Sequence, residues 1–194
     1  MPPAPSRTRT STGDFAALLR DVKLGRPSAW DRCYRWLAPA VAGYLRMQGA
    51  AEVDDLTSEV FLAMFRNIET FHGTEANFRS WVFVIAHRRL QDERRRRVRR
   101  PPADTFDGAS AGDEPVTGAA EDEALQALGT ARVHEICARL APDQREVLLL
   151  RILGDLAIDQ VAEVLGKSPG AVKQLQRRGL EAVRRLLERE GVPL

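Results

Sequence analysis

The sequence predicts an all-α chain: two small helical domains, an N-terminal helical bundle and a C-terminal helix-turn-helix domain, joined by a flexible acidic linker. Three observations lead there. Apolar residues recur at steps of three and four through residues 14–100 and again over 125–190, with no alternating stretch of the kind strands need. Residues 101–124 are rich in Pro, Gly, Ala and Asp and offer only Phe106 and Val116 to a core, so they read as a tether. A length of 194 residues accommodates two domains of roughly 70–90 residues each.

Taken in order, residues 1–12 are Pro/Ser/Thr/Arg-rich and read as a disordered tail, without the apolar core of a signal peptide. The first domain spans 13–100. Its first helix opens at Asp14 on the stripe Phe15, Leu18, Leu19 and Val22. Pro27 suits the first turn of a second helix carrying Trp30, Tyr34, Leu37, Val41, Tyr44 and Leu45. Pro39 should bend or split that helix, and Gly49 should stop it. A third helix opens near Asp54 and Asp55, whose carboxylates favour a helix N-terminus, and follows Leu56, Val60, Met64 and Ile68, flanked by Phe61, Leu62 and Phe65. After a polar loop from Thr70 to Asn77, a fourth helix runs from about Phe78 to Val98. It begins apolar with Trp81, Val82, Val84 and Ile85 and ends as a run of arginines.

The second domain spans 125–190. Pro142 starts a helix that reaches Leu153 and stops at Gly154. Ile158, Val161, Ala162 and Leu165 define a short helix closed by Gly166. Ser168 then offers an N-cap and Pro169 the first position of the last helix.

The net charge of +2 conceals a polarised chain. Residues 88–100 hold eight arginines against Asp92 and Glu93, a local charge of +6, whereas residues 101–130 hold seven acids and no Lys or Arg. Such blocks mark a polyanion-binding surface beside a solvated, extended segment. Cys33 and Cys137 stand far apart without CxxC or CxxH spacing, which fits a reducing cytoplasm. The three histidines show no ligand spacing, so no metal, cofactor or catalytic group is expected. No apolar run reaches the ~18 residues of a membrane span.

Three constellations carry chemistry. In the last helix, a wheel at 100° per residue puts Val172, Leu175, Gly179, Val183 and Leu186 on one face, and Gly170, Lys173, Gln174, Arg177 and Arg178 on the opposite or flanking surface. That is the layout of a recognition helix; the plainer alternative is a helical hairpin with a solvated cationic face. The arginine run reads as a phosphate-contacting surface, or as a helix end stabilised by its dipole. Phe78, Trp81 and Phe83 lie just upstream, where bases could stack, although Trp81 at helical spacing with Ile85 also fits a core. Finally, Asp54, Asp55 and Glu59 beside Leu56, Val60, Leu62 and Phe65 make a helix with more apolar side chains than one buried face needs. An acidic and apolar surface of that kind is a docking site for another protein.

These stretches resemble the extracytoplasmic-function class of bacterial RNA polymerase sigma factors, in the sigma-70 family. EVDDLTSEVFLAMF (52–65) is similar to the polymerase-binding helix, with Ser58 in place of the common Gln. FRSWVFVIAHRRLQDERRRR (78–97) is similar to the promoter-melting helix, with His87 and Arg88 where the family often has Asn. RLAPDQREVLLLRILGDLAIDQVAEVLGKSPGAVKQLQRRGLEAVRRLL (139–187) is similar to the promoter-reading domain, with VKQLQRRGL departing from the commoner VKSRLxRA.

The resemblance implies that Asp55, Leu56, Glu59, Val60 and Leu62 dock on the clamp helices of the largest polymerase subunit, with the flap of the second subunit as a further contact. It implies that the Thr70–Asn77 loop captures a flipped base of the −10 element, while Asn77, Arg79, Trp81, Arg88, Arg94 and Arg95 hold the single strand. Ser168, Lys173, Gln174, Arg177 and Arg178 would read the −35 element in the major groove. Promoter DNA, double- and single-stranded, is thus an implied partner, and the family leaves room for an anti-sigma factor. The implied location is cytoplasmic and nucleoid-associated, without membrane insertion. The linker would thread toward the active-site and RNA-exit channels; its 24 residues reach up to about 80 Å when extended.

The function expected is therefore an alternative sigma factor, a specificity subunit without catalytic activity of its own. It binds core polymerase, directs it to −35/−10 promoters and helps open the DNA. The competing reading is a stand-alone helix-turn-helix regulator that binds duplex DNA without polymerase. An enzyme acting on nucleic acid would need a nucleophile or acid cluster near the basic groove, and none is evident.

Overall fold

The computed structural model describes residues 12–99 and 131–190. The expected tail, apart from Thr12, the linker over 101–124 and the start of the second helical block therefore lie outside the described residues. Every regular element among those described is helical.

In the first domain, α1 (Thr12–Lys23) lies against α2 (Pro27–Met47), which packs on α3 (Val53–Asn67) and α4 (Glu75–Arg99); a 3-10 turn, Ile68–Thr70, follows α3. The core is built from the expected stripes, with Phe15, Leu37, Val41, Tyr44, Val60 and Met64 buried, and Phe78 and Phe83, read from sequence as aromatics where bases could stack, are buried with them. Pro39 does not split α2, which runs unbroken on both sides of it. Pro39 faces solvent while Leu37, Ala38 and Val41 are buried, so the carbonyl left without its partner lies on the water-exposed side of the helix. Burial of both halves outweighs a penalty of about 3 kcal/mol. Gly49, at φ +77°, ends the turn after α2 as expected.

The fourth helix starts three residues before the predicted position. Thr74 Oγ1 accepts from the Asn77 amide at 3.3 Å, and Asn77 Oδ1 accepts from the Thr74 amide at 3.0 Å. This reciprocal capping box draws Asn77 out of the loop and into the first turn.

In the second domain, α5 is described over 131–138, followed by α6 (Pro142–Ile152), α7 (Ile158–Leu165) and α8 (Pro169–Arg189). Gly166 takes the left-handed conformation at φ +62° that closes α7. Ser168 caps α8, its Oγ accepting from the Ala171 amide at 3.2 Å. Gly179 lets α8 cross closely over α6, since a Cβ there would sit 2.9 Å from Leu148 Cδ1.

The domains touch. Packing of α7 on α4 and of α6 on α2 joins their apolar interiors.

Candidate nucleic-acid interface

The wheel drawn for α8 holds in three dimensions. Val172 and Gly179 are buried and Leu175, Val183 and Leu186 half-buried, while Gly170, Lys173, Gln174, Arg177 and Arg178 are all exposed. The cause is local: Ser168 fixes the helix start, and the glycine at 179 brings the apolar side down onto α6. Four long donors therefore project from one exposed helix surface, the geometry that reads base edges and phosphates in a major groove. Arg177 also meets Glu181 at 3.3 Å on the exposed surface, a weak pair that DNA can displace. Ser168 itself spends its oxygen on the cap, so its role lies in placing the helix start.

On α4 the predicted DNA contacts divide. Arg88 and Arg95 are exposed, Arg95 lying 3.7 Å from Asp92. Arg94 is turned inward: its Nη2 donates to the Gln48 carbonyl at 2.6 Å and to Gln48 Oε1 at 3.1 Å, so a cation meets the C-terminus of α2. Arg79 is held between Glu75, at 3.5 Å, and the face of Trp36, at 5.2 Å from the ring centroid. Trp81 is half-buried and stacks on Phe71 at 5.1 Å within the cluster Phe15, Trp36, Phe71 and Phe78. Of the two readings of Trp81, the core one describes this arrangement. Asn77 is exposed, with its carboxamide oxygen committed to Thr74.

The docking helix also divides. Leu56 and Val60 are buried core residues and present no surface to a partner, because their stripe is the one that faces α2 and α4. Asp55 is exposed; Glu59 is half-exposed and lies 3.8 Å from Arg89 and 3.9 Å from Arg96. Leu62 stands out at 54% exposure, joined by Phe65 at 53% and Tyr34 at 46%. With Trp30 and Phe61 they line one shallow apolar groove between α2 and α3, and Trp30 Nε1 is buried there without a hydrogen-bond partner among the described residues. The α2 side of this face was missed from sequence. Its signal was the pair Trp30 and Tyr34 on a stripe already assigned to the core.

The chain is similar to known proteins. Residues 30–100 match the family model for sigma-70 region 2, and residues 130–183 that for sigma-70 region 4. The ECF RNA polymerase sigma factor ShbA of Streptomyces griseus is 32% identical over 146 residues, covering 74% of this chain and 76% of that protein. The chain belongs to the ECF sigma factors.

The ECF sigma factor BldN of Streptomyces coelicolor is 33% identical over 172 residues, and the match spans 88% of this chain but 64% of that relative's length. Among solved structures, CnrH in complex with the cytosolic domain of CnrY shares the fold with a TM-score of 0.61 at 23% identity, covering 89% of this chain and 96% of that one. RpoE of Bartonella quintana, in complex with the anti-sigma factor NepR, does so at 0.59 and 16%, covering 81% and 96%. Against the family boundaries, the basic half of α4 and the apolar groove between α2 and α3 belong to region 2, and α8 up to residue 183 belongs to region 4. Helix α1 precedes the matched part of region 2, yet supplies Phe15 to its aromatic cluster.

Proposed function

We propose that this ECF sigma factor docks core RNA polymerase on the α2–α3 groove, reads a −35 element with α8 and holds −10 single strand along α4. The observation that carries this reading is the exposed surface of α8. Lys173, Gln174, Arg177 and Arg178 project to solvent from a helix anchored on its other side by Val172 and Gly179. Gln and Arg suit adenine and guanine edges, and Lys173 suits phosphate.

The docking step uses Leu62, Phe65 and Tyr34, with Asp55 and Glu59 as the acidic rim. Exposed apolar side chains bordered by charge are what a protein partner buries. For the melted strand, Arg88 and Arg95 supply exposed cations. A groove lined by Phe15, Leu19, Gly73, Thr74 and Ala76 lies beside the capping box and, at about 600 Å³, has room for a flipped base. The protein itself contributes binding and positioning, with the polymerase supplying the chemistry. The place of action is the cytoplasm, at the nucleoid. An anti-sigma factor is a further proposed partner, since the Bartonella RpoE was solved with the anti-sigma factor NepR.

Run-off transcription with core polymerase from a related bacterium tests this. Transcripts from a candidate promoter should require the protein and should fall with Lys173→Ala, whose salt dependence should lose roughly one unit of slope. A protein that shifts duplex DNA tightly alone and never supports initiation would overturn the proposal.

A further inference from the structure

We propose that Lys23 of α1 is a positioning residue for strand capture: it holds the Phe71–Thr74 loop at a fixed distance from α1 and so sets the width of the groove between them. The inference rests on the −10 role given above to that loop and groove. Lys23 is half-buried at the end of α1, and its ammonium is spent on backbone. Nζ donates to the Phe71 carbonyl at 2.7 Å and to the Glu69 carbonyl at 3.2 Å, acceptors 48 and 46 positions further along the chain. These carbonyls stand where α3 and its 3-10 extension end, and a helix C-terminus leaves such oxygens without donors of its own. Neighbouring ones are served locally: Thr70 Oγ1 donates to the Asn67 carbonyl at 2.8 Å, and the Phe71 amide to the Ile68 carbonyl at 3.1 Å. A cation at that end also meets the negative pole of the helix dipole. Lys23 lies before the matched part of region 2.

The two ends of the loop are held by different means. Downstream, Thr74 and Asn77 cap each other within one stretch of chain. Gly73, at φ +151°, brings the backbone so close that a Cβ would stand 3.0 Å from Asn77 Cβ. Upstream, Phe71 is fixed twice: by its ring against Phe78 and Trp81, each at 5.1 Å, and by Lys23 through its carbonyl. His72, Gly73 and Thr74 are left exposed between these anchors. Phe15, Leu19 and Leu24 of α1 form one wall of the groove, and Gly73, Thr74 and Ala76 the other. The rings tie Phe71 to α4, whereas Lys23 ties it to α1, across the groove. Without that donor the loop is free to move off α1 while the core beneath it stays packed. A loop competent for part of the time binds a strand more weakly in proportion. An ammonium already shared by two carbonyls orders the loop and does not neutralise a phosphate.

Lys23→Met tests this, since it keeps an unbranched stem and removes the donor. Hydrogen exchange on the free full chain is the first readout: the Phe71 amide should exchange several-fold faster than in wild type, while amides of α6 and α8 keep their rates. Unchanged exchange at Phe71 would overturn the positioning role. The second readout is fluorescence anisotropy of the holoenzyme, assembled with core polymerase, on a labelled −10 single strand from a promoter mapped by run-off transcription. Lys23→Met should bind that strand about 5- to 20-fold more weakly, as expected for loss of a charge-assisted bond, and a −35 duplex as tightly as wild type. Lys23→Arg, which can donate to the same two carbonyls, should bind the strand within about threefold of wild type. The slope of log affinity on log salt should stay the same in Lys23→Met, whereas loss of a phosphate contact would lower it by roughly one unit. Equal strand affinity, failure of Lys23→Arg to rescue, equal weakening on the −35 duplex, or a lost unit of slope would each overturn the proposal. A wild-type holoenzyme that binds the mapped strand no better than a scrambled one would instead sink the −10 role of the loop, and this proposal with it, leaving the exchange result unaffected.

Discussion

Leu62→Ala and Leu56→Ala separate the two jobs of α3. Leu62 is 54% exposed and Leu56 4% exposed, six residues away on the same helix. Full burial of a leucine side chain is worth about 1.5–3 kcal/mol, so docking leaves Leu62 roughly half of that to gain, about 1–1.5 kcal/mol. Leu62→Ala should therefore weaken core polymerase binding by about 5- to 12-fold, while leaving folding stability within about 1 kcal/mol of wild type. Adding Phe65→Ala, from a side chain 53% exposed, should bring the loss to roughly 30- to 150-fold. That second change also removes the ring packed 4.6 Å from Trp30, so stability should fall by about 1 kcal/mol more. Leu56→Ala should do the reverse, lowering stability by about 2–5 kcal/mol with the Kd of the folded protein unchanged. Fluorescence anisotropy against core polymerase and urea unfolding give the two axes. If Leu62→Ala binds within twofold of wild type, or unfolds as easily as Leu56→Ala, the docking face has been misplaced.

Other outcomes follow from single contacts. Burial pushes the Cys33 thiol up to about 12, so only about 10⁻⁴ of it is thiolate at pH 8. A thiol reagent should then modify the half-buried Cys137 first and reach Cys33 only on unfolding. Because burial favours the neutral thiol, its stabilising contribution is complete below the unfolded pKa of 9.0 and is lost as pH rises toward about 12; urea titrations at pH 8 and pH 10 should show the decline. Arg94→Ala should cost about 1–3 kcal/mol of stability through its two bonds to Gln48, whereas Arg95→Ala should lower DNA affinity and leave the melting temperature in place. Gly179→Leu should destabilise by about 1–3 kcal/mol despite its better helix propensity, because the added carbons strike Leu148 and Gln144; thermal unfolding checks it.

The helices were legible because their stripes are strong and their ends are punctuated: Pro27, Gly49, Pro142, Gly166 and Ser168 all do what their chemistry suggests. Pro39 did not split its helix as a local rule allows, because that rule cannot say which side of a helix faces water. Asn77 misled because Thr-x-x-Asn was weighed as loop polarity and not as a cap. Which side of α8 is exposed was readable whole, since one helix on one support needs only its own wheel. The docking face was readable in part. Leu56 and Val60 share a stretch with Leu62, but which of them points inward depends on α2 and α4, and Tyr34 joins the face from a helix distant in sequence. The contact of α6 and α7 with α4 had no local signal. It is made by Gln160 and Glu146, ordinary surface residues until another domain is set against them.

The same dependence explains why α4 can carry so many arginines in order. Alone, a helix with this density of like charge would be opposed wherever arginines stand three or four apart, as at Arg94/Arg97, Arg95/Arg99 and Arg96/Arg99. Here its first half is fixed by Phe78, Val82, Phe83, Ala86 and Leu90, and adding a residue to an existing helix costs far less than starting one. The two acids in the run are placed to help. Glu93 accepts from Arg97 at 2.6 Å and from the Ala51 amide at 3.1 Å, and Asp92 meets Arg95. Arg94 ties the middle of the run to the end of α2. The apolar half thus acts on function without touching a ligand. It holds the exposed cations Arg88 and Arg95 on a preformed helix, so a strand bound there as proposed would meet ordered donors and would not bear the entropy of ordering them.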